Sequence, residues 1–168
     1  KLANVAKPPK LIASGGAMLT KELWQAWHDV GHTIQNGCGL TESGPTLFLQ
    51  TKAEALSQPT AVGQPVSGIQ VKLVGPDGSE VNEGEPGEVH IKGQAVTPGY
   101  WQNSKENVQA YNDGWFQTGD VAIFQDDQYS IIDRINEMFI CGGENVYPSE
   151  TEDIILRYVG VSEVVVLG

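Results

Sequence analysis

The order of apolar and polar residues predicts an α/β unit in the first 60 residues. Residues 10–13 form a short apolar run typical of a buried strand, and residues 32–35 predict the next strand. Between them, apolar residues recur at helical spacing, with Thr20 placed to cap the helix and Gly31 placed to end it. A strand, a helix and a second strand in this order are typical of α/β folds.

From residue 61 the pattern changes to short alternating runs. Ile69, Val71 and Leu73 share one face of a predicted strand over residues 69–74. Similar strand signals, separated by glycine-rich turns, recur as far as Ile132, with one short helix expected to begin near Ser104. This region therefore predicts an antiparallel sheet or a distorted barrel.

The last part of the chain predicts a hairpin followed by a helix. The dipeptide Gly142-Gly143 supplies the positive φ of a tight turn after the charged pair Asp133-Arg134. A helix is expected over residues 149–158, with Pro148 at its start and Ser149 in a capping box. The apolar run at residues 164–167 predicts a final strand, so this part has the order of a small α+β unit.

Composition and charge limit the classes of function. The 168 residues are 40% hydrophobic and 18% charged, which is ordinary for a globular protein. A net charge of −11 argues against a nucleic-acid or anionic membrane partner, because phosphates would be repelled. Cys38 and Cys141 form no disulfide framework or metal-ligand pattern, so we expect a reducing, cytoplasmic location.

The two ends of the sequence suggest a piece of a longer protein. It begins at Lys1 without a methionine and ends directly after the apolar run at residues 164–167. No apolar run approaches the roughly 18 residues that a transmembrane helix requires.

Two stretches in the α/β part have compositions suited to nucleotide phosphates. The glycines of residues 14–17 allow close approach to a phosphate or a flat ligand, although a simple tight turn is the stronger reading of these residues alone. In residues 37–44, Thr41 can donate to a phosphate and Glu42 can hold Mg²⁺. A solvated polar loop explains that second stretch equally well.

A third stretch, residues 114–120, ends on a carboxylate. Asp120 follows Thr118 and Gly119, and a carboxylate accepts only, so it can bind two ribose hydroxyls. Without context, an aspartate that bonds its own turn is the stronger reading.

Taken together, these stretches resemble the adenylate-forming superfamily of acyl-CoA synthetases, luciferases and peptide-synthetase adenylation domains. The resemblance covers essentially the whole chain, and around residues 142–150 it is most similar to medium- and long-chain fatty acyl-CoA synthetases. It rests on these motifs: Ser14-Gly15-Gly16-Ala17, Gly37-Cys38-Gly39-Leu40-Thr41-Glu42, Trp115-Phe116-Gln117-Thr118-Gly119-Asp120, Asp133-Arg134 and Gly142-Gly143-Glu144-Asn145-Val146-Tyr147-Pro148.

The resemblance implies a reaction and a division into domains. A carboxylic acid, expected to be a fatty acid, would react with ATP in the presence of Mg²⁺ to give an acyl-adenylate and pyrophosphate. Coenzyme A would then take up the acyl group to give acyl-CoA and AMP. Residues 1–133 would be the C-terminal part of a large domain, with an α/β portion over 1–60 and a β-rich portion over 61–133. Residues 134–168 would begin a small mobile domain. The oligomeric state, including a homo-oligomer, stays open.

The resemblance also implies roles for individual residues. Thr41 would bind the α-phosphate and Glu42 the magnesium, as the catalytic candidates. Asp120 and Arg134 would hold the ribose, and Asn136 would be the hinge. The remaining predicted binding positions would line the adenine, acyl and pantetheine pockets: Gly15, Gly16, Ala17, Gly37, Cys38, Gly39, Gly142 and Gly143.

The chain departs from the family pattern in two places. Cys38 replaces a tyrosine that stacks on the adenine in the family. By analogy with aromatic pairs, this replacement would weaken adenine binding by about 1 kcal/mol. Asn136 is uncharged where the family has Lys or Asp. Cys141 has no assigned role and is expected to be a small buried hydrophobe.

Two family elements are absent from these residues, namely the phosphate loop and a late lysine. We therefore expect the 168 residues alone not to complete the first half-reaction. A ligase that passes the acyl group to a carrier protein, and a non-catalytic acyl- or nucleotide-binding homologue, remain alternatives.

Overall fold

The structure, a computed structural model, describes residues 9–142 and 144–168. In that part of the chain the helices are α1 (Lys21–His28), α2 (Lys52–Ser57), α3 (Ser104–Ala110) and α4 (Pro148–Leu156). The strands are β1 (Ala13–Ser14), β2 (Gln35–Leu40), β3 (Gly44–Leu49), β4 (Gln64–Pro65), β5 (Ile69–Val74), β6 (Pro86–Gly93), β7 (Tyr111–Asn112), β8 (Trp115–Gln125), β9 (Gln128–Arg134), β10 (Phe139–Cys141) and β11 (Glu144–Val146).

The first sheet confirms the predicted α/β unit, although β1 covers Ala13–Ser14 rather than residues 10–13. Its strands lie in the order β1-β2-β3-β4, and β1 is parallel to β2, with α1 in the connection between them. The Thr20 hydroxyl accepts from the N–H of Leu23 at 3.3 Å, as the sequence predicts. Trp24 anchors α1, because its buried indole packs with Leu19 and Ile34 and donates to the Ile34 carbonyl at 3.1 Å.

The second strand of this unit differs from its predicted bounds. It begins only at Gln35 and continues to Leu40, so residues 37–40 lie in a strand rather than in the predicted loop. The next strand, β3, follows a turn at residues 41–43 and pairs antiparallel with β2. The sequence pattern also missed α2, whose N-terminus is fixed by a capping box between Thr51 and Glu54.

The β-rich middle part is an antiparallel five-stranded sheet, as predicted. It runs in the order β5-β6-β8-β7, and β9 pairs with the same edge of β8 as β7, farther along the strand. One buried core joins this sheet to the first sheet. Its largest members come from both sheets: Leu47, Phe48, Val89, Ile91 and Phe116.

The predicted hairpin and helix are present, but the helix starts differently. β10 and β11 pair antiparallel, and Pro148 occupies the first turn of α4. Tyr147 is the N-cap and makes no side-chain capping bond, so the predicted capping box is wrong. The Ser149 hydroxyl instead donates to the Ile132 carbonyl, and the Glu152 carboxylate accepts from the Val166 N–H at 2.8 Å.

Two further predictions in this region are wrong. Residues 164–167 form no strand, because a strand needs a paired neighbour and the Val166 N–H is bonded to the Glu152 side chain instead. Cys141 is exposed rather than buried, since it lies at the end of the β10–β11 hairpin. None of the helices in residues 9–142 and 144–168 is long and apolar enough to cross a membrane.

Candidate functional site

A cleft of about 340 Å³ lies between the two sheets and collects residues from four predicted stretches. Its walls come from the loop before α1, from β2, from the middle of β8 and from the end of β9. Seven predicted binding residues line it: Gly16, Ala17, Gly37, Cys38, Gly39, Asp120 and Arg134. Gly15 lies in an adjoining groove of about 280 Å³ that shares several of these residues.

The glycines of β2 are required by backbone packing as well as by any ligand. A Cβ on Gly39 would lie 2.3 Å from the Pro45 carbonyl oxygen, and one on Gly37 would lie 2.6 Å from that of Phe48. These contacts come from β3, which pairs with β2 through a register shift between Cys38 and Leu40. The two glycines therefore allow β3 to cover one side of β2 while the cleft forms at the other.

Cys38 contributes a neutral thiol to the cleft wall. The pKa of Cys38 is raised to about 12, chiefly by burial and then by the nearby Asp120 carboxylate, while a hydrogen bond with the Phe48 backbone opposes the rise. A thiol with that pKa is protonated at neutral pH and is a poor nucleophile. Cys38 therefore acts in this cleft as a small polarisable surface rather than as a reactive group.

Asp120 reaches the cleft because β8 bulges at that point. Between the pairs Glu88–Val121 and His90–Gln117, β6 has one residue and β8 has three. A bulge of this kind bends the strand and redirects a side chain. The predicted turn aspartate is thus an aspartate within a long strand.

Asp120 and Arg134 form an ion pair at the rim of the cleft. The Arg134 Nε lies 3.4 Å from Asp120 Oδ1, and the side chains are 66% and 15% exposed, respectively. Burial raises the pKa of Asp120, the Arg134 guanidinium opposes that rise, and the Glu42 and Glu88 carboxylates add to it. A mostly buried acceptor beside an exposed cation suits a ligand with hydroxyl donors.

Thr41 and Glu42 occupy the turn between β2 and β3 and do not line this cleft. The Glu42 Oε1 accepts from the Tyr100 hydroxyl at 2.8 Å, and the Glu42 carbonyl accepts from the Thr97 N–H at 2.7 Å. The pKa of Tyr100 is raised to about 12, chiefly by burial. The hydrogen bond and charge of Glu42 contribute next, followed by the charges of Tyr111 and Glu106. Tyr100 therefore stays a donor that fixes the Glu42 carboxylate.

The donor chemistry at Glu42 fits magnesium better than a metal held by protein alone. Within residues 9–142 and 144–168 no three His, Cys, Asp or Glu side chains are grouped to hold a metal ion. Magnesium is commonly bound by one or two carboxylates together with substrate phosphates. A single fixed carboxylate is consistent with that mode.

Two further predicted positions, Asn136 and Gly142, lie away from the cleft. Asn136 is in the turn between β9 and β10, where Glu137 rather than Asn136 lines the cleft. Gly142 is in the hairpin turn with φ of +65°. Gly143 lies outside the described residues.

Sequence reasoning missed five polar residues that line the cleft: Asn36, Thr60, Asp133, Glu137 and Ser149. The Asn36 side-chain amide donates to the carbonyls of Thr60 and Ala61, at 3.2 Å and 3.1 Å. The sequence identifies Asp133 only as half of a charged pair. No local pattern predicts its burial, because this depends on tertiary structure: one of the N–H groups that donate to its carboxylate belongs to α4.

The chain is similar in sequence to a family of AMP-binding enzymes and to individual CoA synthases and ligases. The model of the family described as "AMP-binding enzyme" matches residues 3–101. A feruloyl-CoA synthase of Amycolatopsis is 35% identical over 160 residues, covering 95% of this chain and 33% of that protein. A long-chain-fatty-acid–CoA ligase of Haemophilus influenzae is 36% identical over 162 residues, covering 95% and 28%, respectively.

The fold is also shared with a solved structure. The o-succinylbenzoate CoA synthetase of Bacillus subtilis, in complex with the acyl-adenylate intermediate OSB-AMP, superimposes with a TM-score of 0.87 at 26% identity. The match covers 95% of this chain and 33% of that protein. The same enzyme in complex with ATP and magnesium gives a TM-score of 0.87 at 25% identity, covering 98% and 35%. The chain thus spans about a third of the length of the proteins it matches.

Proposed function

The chain belongs to the AMP-binding enzyme family, and from that premise we propose that it supplies the ribose- and phosphate-binding side of an ATP-dependent acyl-CoA synthetase site. The observation that supports this most is the cleft in which Asp120 and Arg134 face the glycines of β2. The full reaction converts a carboxylic acid and ATP to an acyl-adenylate and pyrophosphate, and then to acyl-CoA and AMP.

In this proposal Asp120 recognises the ribose. Its two carboxylate oxygens accept from the 2′- and 3′-hydroxyls, and the Arg134 guanidinium reaches the same sugar. The loop with Gly15, Gly16 and Ala17, together with residues 37–39, lies along the adenine and the acyl group. These small residues let a flat base approach the backbone, and the Cys38 thiol replaces an aromatic ring on one face of it.

The phosphates are assigned to the turn after β2. Thr41 donates to an oxygen of the α-phosphate, and Glu42 holds the magnesium ion, with Tyr100 fixing the orientation of the carboxylate. When bound, magnesium offsets negative charge on the phosphate oxygens. The substrate carboxylate then attacks the α-phosphorus, the bond to the β-phosphate breaks, and pyrophosphate leaves.

The second half-reaction requires a change of partner at the same cleft. We place the boundary between the large and small domains at residues 133 and 134, with Asn136 as the hinge, because the turn after β9 connects the sheet to the β10–β11 hairpin. Gly142 and Gly143 would lie along the path of the pantetheine thiol. The thiolate attacks the acyl carbonyl, and AMP departs as the leaving group.

We propose a fatty acid as the carboxylic substrate. The long-chain-fatty-acid–CoA ligase relative supports this choice, while the feruloyl-CoA synthase relative, at nearly the same identity, makes an aromatic acid the competing choice. Both acids join a carboxylate to an extended apolar body, so the shared reaction is independent of which is used.

Pyrophosphate release tests the proposal. The complete protein, as its gene encodes it, is incubated with ATP, Mg²⁺ and either fatty acids of increasing length or ferulate. We expect release with fatty acids, and formation of acyl-CoA and AMP once coenzyme A is added. Absence of release with every acid contradicts the enzymatic proposal, and release with ferulate alone corrects only the acid. Discharge by a pantetheinylated carrier protein, but not by coenzyme A, would instead identify a carrier-dependent ligase.

A further inference from the structure

We infer that Glu88 is a positioning residue for ribose recognition, because it holds the bulge of β8 that directs Asp120 into the cleft. The inference rests on the proposed function, in which Asp120 accepts the ribose hydroxyls. Glu88 belongs to β6, a neighbouring strand, and does not line the cleft described above. Its effect on the nucleotide would therefore be indirect.

The bulge interrupts the regular pairing of β8 with β6 and needs other hydrogen-bond partners. Residues 118–120 face the single residue Val89, so these three residues cannot all pair with β6 in the regular way. Gly119 has φ of +75°, in the left-handed region that favours glycine. A backbone N–H displaced from a ladder requires another acceptor when water is excluded.

Side chains supply those acceptors. The Gly119 N–H donates to Glu88 Oε1 at 3.2 Å. The Asp120 N–H donates to the Thr118 hydroxyl at 3.1 Å, and that hydroxyl donates to the Val89 carbonyl at 2.8 Å. The side chains of Glu88 and Thr118 thus fix the backbone N–H groups of Gly119 and Asp120, respectively.

The Glu88 carboxylate is itself fixed on its other side. His90 is buried, and its Nε2 lies 3.1 Å from Glu88 Oε2. A carboxylate oxygen only accepts, so this imidazole carries a proton on Nε2. Residues 88 and 90 lie two apart on one face of β6, which lets the histidine hold the carboxylate in place. A carboxylate held at both oxygens sets the position of Gly119, and through it that of Asp120.

The test measures recognition of the ribose separately from overall stability. Affinities of the complete protein for ATP, 2′-deoxy-ATP and 3′-deoxy-ATP are compared by calorimetry in the presence of Mg²⁺ and without acid. The wild type should prefer ATP by about 10-fold or more for each hydroxyl removed, the factor that a hydrogen bond to a charged group supplies. Asp120→Ala, the reference for lost recognition, should bind the three nucleotides with similar affinity.

A pair of substitutions at Glu88 then decides the inference. Glu88→Gln keeps a carbonyl oxygen for the Gly119 N–H and should retain the wild-type preference. Glu88→Met has similar size without an acceptor and should lose most of it. Ile91→Val, on the same strand but away from the bulge, is the control for general destabilisation and should retain the preference.

The outcomes are distinct. A wild-type preference in Glu88→Met overturns the inference and leaves the ribose role of Asp120 intact. An unchanged preference in Asp120→Ala overturns both the ribose assignment and the inference. If Glu88→Met does not fold, Glu88→Ala, which also removes the acceptor for the Gly119 N–H, is measured in its place. Loss of preference in Glu88→Ala but not in Glu88→Gln supports the inference, and retention of the preference in Glu88→Ala overturns it.

Discussion

Asp133 and Ser149 are joined across the turn that contains the predicted hinge. The Ser149 N–H donates to Asp133 Oδ2 at 3.1 Å, while Oδ1 of the same buried carboxylate accepts from the Arg134 N–H at 2.8 Å. Ser149 lies in the first turn of α4, whose N-terminal N–H groups have no partner within the helix. The end of β9 thus provides the capping carboxylate that the helix lacks in its own sequence.

Replacing Asp133 should release α4 from β9. Asp133→Ala leaves two N–H groups without their acceptor, and we expect a loss of about 1–3 kcal/mol in the free energy of unfolding. Amide hydrogen exchange in α4 should accelerate more than exchange in β6 and β8. Urea denaturation and residue-resolved exchange measure the two effects.

The control for this prediction is Asp153→Ala on the same helix. Among the residues that the structure describes, Asp153 pairs only with Arg157, one turn away, and both side chains are largely exposed. Surface pairs of this kind contribute about 0–1 kcal/mol, so this variant should change exchange little. Equal acceleration in both variants would show that the helix is sensitive to any lost acid rather than to its docking on β9.

A buried amide at Gln50 ties the first sheet to β9. Its Oε1 accepts from the Asn36 N–H at 2.9 Å, and its Nε2 donates to the Gln58 carbonyl at 2.7 Å and to Gln128 Oε1 at 3.1 Å. Gln50→Leu should lower the free energy of unfolding by about 2–4 kcal/mol, because several buried polar groups lose their partners together. Chemical denaturation measures this loss, and Gln25→Leu, on the exposed surface of α1, should fall within about 0.5 kcal/mol of wild type.

Local signals explain which parts of the fold were predictable. Thr20, the alternation at residues 69–74 and the turn at Gly142 each act within a few residues, and each was predicted correctly. The run at residues 164–167 has the composition of a strand, but composition does not provide a pairing partner.

The sequence predicts the motifs that line the cleft but not how they are arranged in space. The sequence singles out Asp120 with its loop, yet its position depends on a bulge in which the Gly119 N–H donates to Glu88, 32 residues before Asp120 in the chain. Residues 37–40 looked like a flexible loop because of their glycines. In the structure those glycines serve the close approach of β3, a contact that the pattern along β2 does not contain.

Tyr100 should influence the magnesium requirement through Glu42. Tyr100→Phe removes the donor that fixes the carboxylate, leaving the aromatic ring in place. We expect the Mg²⁺ concentration for half-maximal pyrophosphate release to rise several-fold, with a small change in thermal stability. Titration of Mg²⁺ at saturating ATP measures the shift.

The matched substitution is Tyr111→Phe, which removes a hydroxyl that donates to the Thr97 carbonyl at 2.6 Å. It loses the same chemical group without removing a bond to Glu42. A similar rise in the Mg²⁺ requirement for both variants would place the effect in the packing of this region rather than in the Glu42 carboxylate.

Asp120→Asn should stabilise the fold while weakening nucleotide binding. The pKa of Asp120 is raised above 3.8, chiefly by burial, so ionisation is less favourable in the folded state than in the unfolded chain. As pH rises through 3.8, the unfolded chain loses this proton first, and the free energy of unfolding falls until the pH passes the folded-state pKa. Asparagine has no such ionisation. The advantage in stability of Asp120→Asn over the wild type should therefore increase from pH 4 towards neutral pH and then become constant.

Thermal unfolding across this pH range measures the advantage, and calorimetry should show ATP affinity lower by about 10-fold or more, because an acceptor for the ribose is lost. Asp77→Asn provides the control of opposite sign. Hydrogen bonds from the Ser79 side chain and backbone lower the pKa of Asp77, so that aspartate favours the folded state above its ordinary pKa, and its replacement should give no gain. A stability difference for Asp120→Asn that is the same at pH 4 and pH 7 would contradict the burial of this charge. Higher stability together with lower ATP affinity in Asp120→Asn would show that the Asp120 carboxylate destabilises the fold but strengthens nucleotide binding.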